Sequence, residues 1–202
     1  MKRAVSKRNK NKWADHYTQK AQKEKYPARS VYKLIEIQNK TRVIKKGDRV
    51  LDLGCAPGSW LMYAAEITGS GGRVVGIDLK PVNVSLPPHA TAYAGDIFDM
   101  SDEIRDAVGS GYNAVISDMA PSTTGNSSVD AARSFNLCEA ALAVAHEVLL
   151  PGGIFVCKIF QGPDFEMFLN RIKTEFDKHK IFKPQSSRKA SREIFIIGLG
   201  KK

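Results

Sequence analysis

Nowhere in this 202-residue chain does an apolar run approach the roughly 18 residues a membrane span needs, so no membrane association is expected. Cysteine is scarce. Cys55, Cys138 and Cys157 are odd in number and form no C-x-x-C pair, which excludes a disulfide framework and a zinc site and points to a reducing, cytoplasmic setting. The four histidines (His16, His89, His146, His179) lack metal-ligand spacing, and no metal is expected. Also missing is the G-x-G-x-x-G turn of dinucleotide-binding folds, which disfavours an NAD-type dehydrogenase. The opening Lys/Arg run has no apolar segment behind it, unlike a secretory signal. The Asn126-Ser127-Ser128 triplet is therefore read as chance rather than as a glycosylation acceptor.

What the chain has in excess is positive charge, 31 Lys/Arg against 21 Asp/Glu for a net of +10. Residues 1–33 carry eleven basic residues against two acidic ones, net +9, and residues 171–202 carry ten against three, net +7. The centre is therefore acidic, at −6. Basic ends around an acidic middle suggest a polyanion held by the ends and another ligand held between them. Trp13, Tyr17, Tyr26 and Tyr32 are interleaved with the N-terminal charges, a mixture suited to single-stranded or loop RNA, where cations meet phosphates and rings stack on bases. For residues 1–12 a disordered solubilising tail is the competing reading.

Periodicity alternates between strand and helix. A helix is expected over Arg29–Lys40, then strand Arg49–Leu53, helix Ser59–Ile67, strand Arg73–Ile77, a weak strand Thr91–Ala94, helix Asp102–Val108 and strand Asn113–Ser117. There follow a long helix Val129–Leu150 broken by Pro151-Gly152-Gly153, strand Ile154–Cys157, helix Asp164–Phe176, and closing strands Ile181–Lys183 and Ile194–Leu199. This is an α/β pattern with a mostly parallel seven-stranded sheet and helices on both faces. Only ten residues separate the last two strands, too few for a helical crossover, so the last strand should be antiparallel. The organisation expected is a basic RNA-binding extension over residues 1–28 and one domain over 29–202.

Ligands of open parallel sheets bind beyond the carboxyl ends of the strands. There the first strand runs into Asp52-Leu53-Gly54-Cys55-Ala56-Pro57-Gly58, with Trp60 opening the next helix, the second ends at Asp78, and the third at Gly95-Asp96-Ile97. Three strand-end acids suit a ribose diol, an adenine amino group and a sulfonium, and would repel a pyrophosphate. The arrangement resembles the Rossmann-like class I site for S-adenosylmethionine. Each acid taken alone could instead be a helix cap or a turn residue. Asp118 and Lys158 end two further strands, about 4.8 Å apart if the strands are neighbours; an antiparallel last strand brings Glu193 to the same edge, and Lys33 could cover it from the leading helix. A structural ion pair is the alternative for these charges.

At this point the chain resembles the FtsJ-type ribosomal RNA ribose 2′-O-methyltransferases over nearly its whole length. The resemblance is carried by Ala28-Arg29-Ser30-Val31-Tyr32-Lys33-Leu34, the Asp52–Trp60 loop, Ser117-Asp118-Met119-Ala120-Pro121, Val156 through Gly162, and Lys183-Pro184 through Ser186-Ser187-Arg188 to Ser191-Arg192-Glu193. It implies a catalytic tetrad of Lys33, Asp118, Lys158 and Glu193, in which Lys158 is read as the base or as the donor that stabilises the developing alkoxide. It also implies cofactor contacts from Gly58, Trp60, Asp78, Asp96 and Asp118, to which the strand-end reading adds Asp52, Gly54, Pro57 and Ile97. The implied cofactor is S-adenosylmethionine, leaving as S-adenosylhomocysteine. The implied substrate is a ribose 2′-hydroxyl, of a uridine, in large-subunit ribosomal RNA within the subunit or its precursor, modified by a monomeric enzyme. Lys7, Arg8, Lys10, Lys12, Arg29, Arg188, Lys189 and Arg192 are the candidates for RNA contacts. Cys55 and Ser59 stand where the family usually has small Ala and Gly, and Ser122-Thr123-Thr124 follows Pro121, so loop detail is where departures are expected. Other readings are a transfer RNA or messenger-cap substrate, and a non-catalytic RNA-binding ribosome-assembly factor on the same fold.

Overall fold

The computed structural model describes residues 16–188 and 190–202; Lys7, Arg8, Lys10, Lys12 and Trp13, with Lys189, lie outside them. In chain order the elements are α1 (residues 16–23), α2 (Val31–Thr41), β1 (Arg49–Leu53), α3 (Ser59–Thr68), β2 (Arg73–Asp78), β3 (Ala90–Ala94), α4 (Asp102–Val108), β4 (Tyr112–Ser117), α5 (Ser127–Val148), β5 (Leu149–Phe160), α6 (Phe165–Glu175), β6 (Phe176–Phe182) and β7 (Glu193–Lys201). The seven strands form one sheet in the order β3-β2-β1-β4-β5-β7-β6. β1 to β5 pair in parallel, and β7 lies antiparallel between β5 and β6.

Near-continuous apolar strands are what a sheet covered on both faces requires. On one face Leu51, Leu53, Val115 and Phe155 meet Cys138 and Leu142 of α5 and Phe168 and Ile172 of α6. On the other, Val50, Ala114, Ile116, Val156 and Phe195 meet Leu34 and Ile37 of α2 and Leu61 and Ala64 of α3. Among the described residues no helix is long and apolar enough to cross a membrane, and no His/Cys/Asp/Glu group is placed to hold a metal ion.

Three segments differ from the sequence expectation. β6 begins at Phe176, directly at the end of α6, rather than at Ile181. Its exposed Asp177, Lys178, His179 and Lys180 hide the strand because an edge strand is kept from pairing with other chains by charge, not by alternation. Pro151-Gly152-Gly153 does not stand between α5 and β5: Leu149 already pairs with Tyr112, and the turn is an irregularity inside β5 before Ile154 pairs with Ala114. The third concerns the expected extension. Tyr17, Ala21 and Tyr26 pack with Val31, Tyr32 and Tyr63, the Tyr17 and Tyr32 rings are 5.2 Å apart, and the Tyr26 hydroxyl donates to Glu66 at 2.7 Å. From Tyr17 onward the leader is therefore part of the domain's packing. The Asn126 side chain also has a structural occupation, accepting from the Ser128 and Val129 amides as the N-cap of α5.

Candidate active site

The strand order reverses between β1 and β4, and the carboxyl ends of β1 to β4 open there on a cavity of about 450 Å³. Gly54, Asp78, Asp96, Ile97, Asp118 and Met119 line it, and the exposed side chains of Leu79 and Phe98 flank it. Gly54 has φ +82°, and a Cβ there would lie 2.4 Å from Met119 Cγ, so the close approach of the two strand ends requires glycine. Asp78 builds the turn as well as the wall, accepting the Ala56 amide at 3.0 Å and the Lys80 amide at 2.9 Å. Asp96 accepts the Phe98 amide at 2.9 Å through one oxygen. Each acid is thus held by backbone donors while bordering the cavity.

Not every expected residue reaches this wall. Pro57 is exposed on the outer side of the loop. Gly58, with φ +111°, packs beneath Val82 and Val84, where a Cβ would sit 2.9–3.0 Å from their methyls. Trp60 is buried, stacks on Phe195 at 5.7 Å and donates its indole N–H to the Ser30 carbonyl at 2.8 Å, which ties α3 to the start of α2. Asp52 is fully buried, because its place on β1 points it with Val50 into the α2/α3 side rather than over the strand ends. Neither of its oxygens has a hydrogen-bond partner among the described residues. Burial, reinforced by the Asp118 and Asp78 charges, holds its carboxyl well above the ordinary carboxylate range. Leu79, Phe98 and Met119 were missed from sequence; the usable signal was an apolar residue within two positions of a strand-end acid.

Lys33, Asp118, Lys158 and Glu193 converge from four elements. The Lys158 ammonium lies 2.8 Å from the Asp118 carboxylate and donates to the Asp118 carbonyl at 2.5 Å. Lys33 donates to Asp118 at 3.2 Å and to Glu193 at 3.1 Å. Lys158 is 5% exposed and the other three side chains 12–14%, so the set is shielded from water without being sealed. Two cations and two anions cancel, as a buried set must to offset desolvation. Lys158 is fixed from behind as well: its carbonyl accepts from the Cys138 thiol at 3.1 Å.

A second cavity, about 480 Å³, opens on the other side of this cluster and is lined by Arg29, Ser30, Lys33, Ser186, Arg188 and Glu193 among others. Lys33 and Glu193 therefore stand between it and the first cavity, which Asp118 borders. Burial and the neighbouring Arg188 charge lower the pKa of the Arg29 guanidinium, while Glu193 opposes them. Ser186 and Ser187 are buried with hydroxyls unpartnered among the described residues. The loop that carries them is held by Glu36, whose carboxylate accepts the Gln185 amide at 2.6 Å and the Ser186 amide at 2.9 Å. Arg192 is exposed beyond this cavity.

An acid-lined cavity, a neutral set of lysines and carboxylates at its edge, and an arginine-lined second cavity can hold a cationic nucleoside and an anionic chain on either side of a proton-handling group. Gly54→Ala tests the tightness of the first wall. A left-handed alanine costs about 1–2 kcal/mol and the Met119 clash adds to it, so Tm should fall by roughly 2–8 °C or more in thermal unfolding. Gly47→Ala, with φ +85° but nothing within 4 Å, should show the backbone cost alone.

A family model described as FtsJ-like methyltransferase matches residues 26–201. The chain is 66% identical over 200 residues to the ribosomal RNA large subunit methyltransferase E of Desulforapulum autotrophicum, covering 99% of this chain and 98% of that one. It is 55% identical over 196 residues to the protein of the same name from Desulfatibacillum aliphaticivorans, covering 97% and 95%. Among solved structures, a ribosomal RNA methyltransferase of Plasmodium falciparum superposes with TM-score 0.75 at 26% identity, over 87% of this chain and 98% of that one. Aeropyrum pernix fibrillarin, solved with bound S-adenosyl-L-methionine, superposes with TM-score 0.56 at 20% identity over 78% of this chain and 68% of that one, a likeness of fold.

Proposed function

The chain belongs to the FtsJ-like methyltransferase family, and from that premise we propose that it transfers a methyl group from S-adenosylmethionine to a ribose 2′-hydroxyl of large-subunit ribosomal RNA in the cytoplasm. The acceptor is a uridine, in the subunit or its precursor, and the enzyme works as a monomer. The observation that carries this reading is the Lys33–Asp118–Lys158–Glu193 cluster standing between an acidic and a basic cavity.

The residues present fit the cofactor. Gly54 leaves room for close approach, and Asp78 and Asp96 keep acceptor capacity for a ribose diol and an adenine amino group. Ile97, Leu79 and Phe98 offer apolar surface to a purine. Pro57, Gly58 and Trp60 support the loop, and Asp118 closes the wall toward the reacting centre. The cofactor, when bound, supplies an electrophilic methyl on sulfur that departs as a neutral thioether.

Everything else falls to the side chains. Lys158, as the neutral amine left once its ammonium has passed a proton to solvent, takes the 2′-hydroxyl proton as the oxygen attacks, and Asp118 holds it in place. Lys33, bonded to both acids, fixes Asp118 and Glu193 and adds positive potential beside the developing alkoxide. Positioning supplies a large part of the acceleration, because methyl transfer demands in-line approach. Arg29 and Arg188 take the flanking phosphates in the second cavity, with the Ser186 hydroxyl as a further donor. Exposed Arg192 extends the basic surface, and Lys189, Lys7, Arg8, Lys10 and Lys12 are further candidates for RNA contacts by their charge.

Mass-spectrometric mapping of ribose methylation in ribosomal RNA, with and without this protein, tests the reading. One 2′-O-methyl group should disappear in its absence; an unchanged map would leave a binding factor instead. The RNA half has its own check: affinity should fall linearly on a log–log salt plot, and Arg188→Ala should reduce the slope by about 0.7–0.9. An unaltered slope would remove Arg188 from the phosphate contacts.

A further inference from the structure

The helix that carries Lys33 also borders a third cavity, for which the mechanism has no use. It encloses about 470 Å³ toward the C-terminal end of α2, where Tyr32, Ile35, Glu36, Asn39 and Lys40 line one side of it. Tyr17 and Lys20 of α1, with Phe182, Lys183 and Gln185 where β6 ends, line the rest. Three kinds of surface meet here. Tyr32 is buried, its hydroxyl donating to Glu24 at 2.8 Å, and forms the floor, while Tyr17, Ile35 and Phe182 are half-buried at the opening. Lys20, Lys40 and Lys183 are exposed at the rim, with the Lys20 ammonium 4.6 Å from the Tyr32 ring centre. Asn39 and Gln185, also exposed, bring amide side chains that can both donate and accept.

This cavity adjoins the arginine-lined one. Along α2, Ser30 and Lys33 border the arginine-lined cavity and Glu36 to Lys40 border this one, a displacement of about 5–10 Å from Lys33 at 1.5 Å per residue. The two share a wall. Glu36 accepts the Gln185 amide at 2.6 Å and the Ser186 amide at 2.9 Å; Gln185 lines this cavity and Ser186 the other. With both amides on it, Glu36 is occupied in holding that wall, and the three rim lysines set the sign of the surface.

We propose that this third cavity binds an unpaired nucleotide adjoining the acceptor in the same RNA strand, a subsite that sets affinity for the RNA and takes no part in methyl transfer. The proposal rests on the reading that the acceptor strand lies in the arginine-lined cavity. Single-stranded RNA is recognised by rings on base faces, hydrogen bonds on base edges and cations on phosphates. The half-buried Tyr17 and Phe182, the Asn39 and Gln185 amides and the rim lysines supply one of each. A strand running along α2 from Lys33 toward Lys40 would meet them in its next nucleotide.

The experiment is steady-state methyl transfer to large ribosomal subunits isolated from cells lacking this protein. It compares the unaltered chain, the double variant Asn39→Ala/Lys40→Ala and the control Lys46→Ala. All three positions are exposed, so the fold should be kept, and Lys46 lies outside the cavity. In the double variant KM for the subunit should rise by about 10-fold or more, from one lost base-edge bond and one lost phosphate contact, while kcat and cofactor affinity hold. Lys46→Ala should leave all three unchanged. An unchanged KM in the double variant, or an equal rise in Lys46→Ala, would overturn the subsite in favour of a diffuse positive field. No methylation of these subunits by the unaltered protein would instead overturn the functional reading, and the subsite with it. Ultraviolet cross-linking of the protein–subunit complex, mapped by mass spectrometry, identifies the occupant. A nucleotide adduct on Tyr17 or Phe182 supports the subsite, and adducts confined to the peptide carrying Arg188 would overturn it.

Discussion

Lys158→Ala should lower single-turnover methyl transfer by about 10³-fold while cofactor affinity stays within a few-fold of the unaltered protein. General acid–base groups contribute roughly 10²–10⁴ in rate, and no other side chain in the cluster combines Lys158's burial with its hold on Asp118. Cofactor affinity should persist because the wall formed by Gly54, Asp78, Asp96 and Ile97 does not include Lys158. Rapid-quench measurement of the methylated product, set beside calorimetric binding, separates the two effects. Lost affinity with normal turnover per bound complex would reassign Lys158 to cofactor binding. Lys158→Met refines the test: it keeps the stem packed on its strand and should match the alanine variant in rate with less loss of stability.

Asp118→Ala should be the more damaging change, because it costs both rate and fold. Asp118 is the shared anion of two lysines, and its removal leaves Lys158 facing only a carbonyl and Lys33 leaning on Glu193 alone. Removing one partner of a buried ion pair costs about 3 kcal/mol or more, which for a chain of this size is a fall in Tm of roughly 6–12 °C. Turnover should drop by at least as much as in Lys158→Ala, and here cofactor affinity should fall too, since Asp118 also borders the first cavity. Thermal unfolding and calorimetry on one preparation would show this. An Asp118→Ala protein of unchanged Tm would mean that water replaces the carboxylate freely and that the cluster is more open than its 12–14% exposures imply.

Much of the sheet was legible in the sequence because strands buried on both faces announce themselves as apolar runs, and because β2 and β4 end in a polar residue that breaks the run, as Gly54 does directly after β1. The antiparallel last strand followed from arithmetic alone, ten residues being too few for a crossover. Only the end of β6 was legible, as Ile181–Lys183: the side chains before it answer to solvent and to the need for an unattractive edge, so Lys178, His179 and Lys180 carry no strand signal. The convergence of Lys33 with Glu193 rested on topology and on family resemblance together, since no local pattern links residues 160 positions apart. What could not be read was which face of β1 Asp52 occupies relative to the ligand. Alternation puts it opposite Leu51 and Leu53, but only the packing of α3 reveals that its side is closed. Trp60 is similar, a motif residue whose indole serves the junction of α2 and α3.

β7 enters the sheet between two strands that precede it in the chain. As the polypeptide leaves the ribosome, β5 and β6 must wait as unjoined neighbours until the final segment slots between them, and that segment is the one bearing Glu193. Completion of the sheet and completion of the charge cluster are consequently a single event. Until β7 is in place Lys33 lacks its Glu193 partner, so the four-residue cluster cannot be complete before the sheet is.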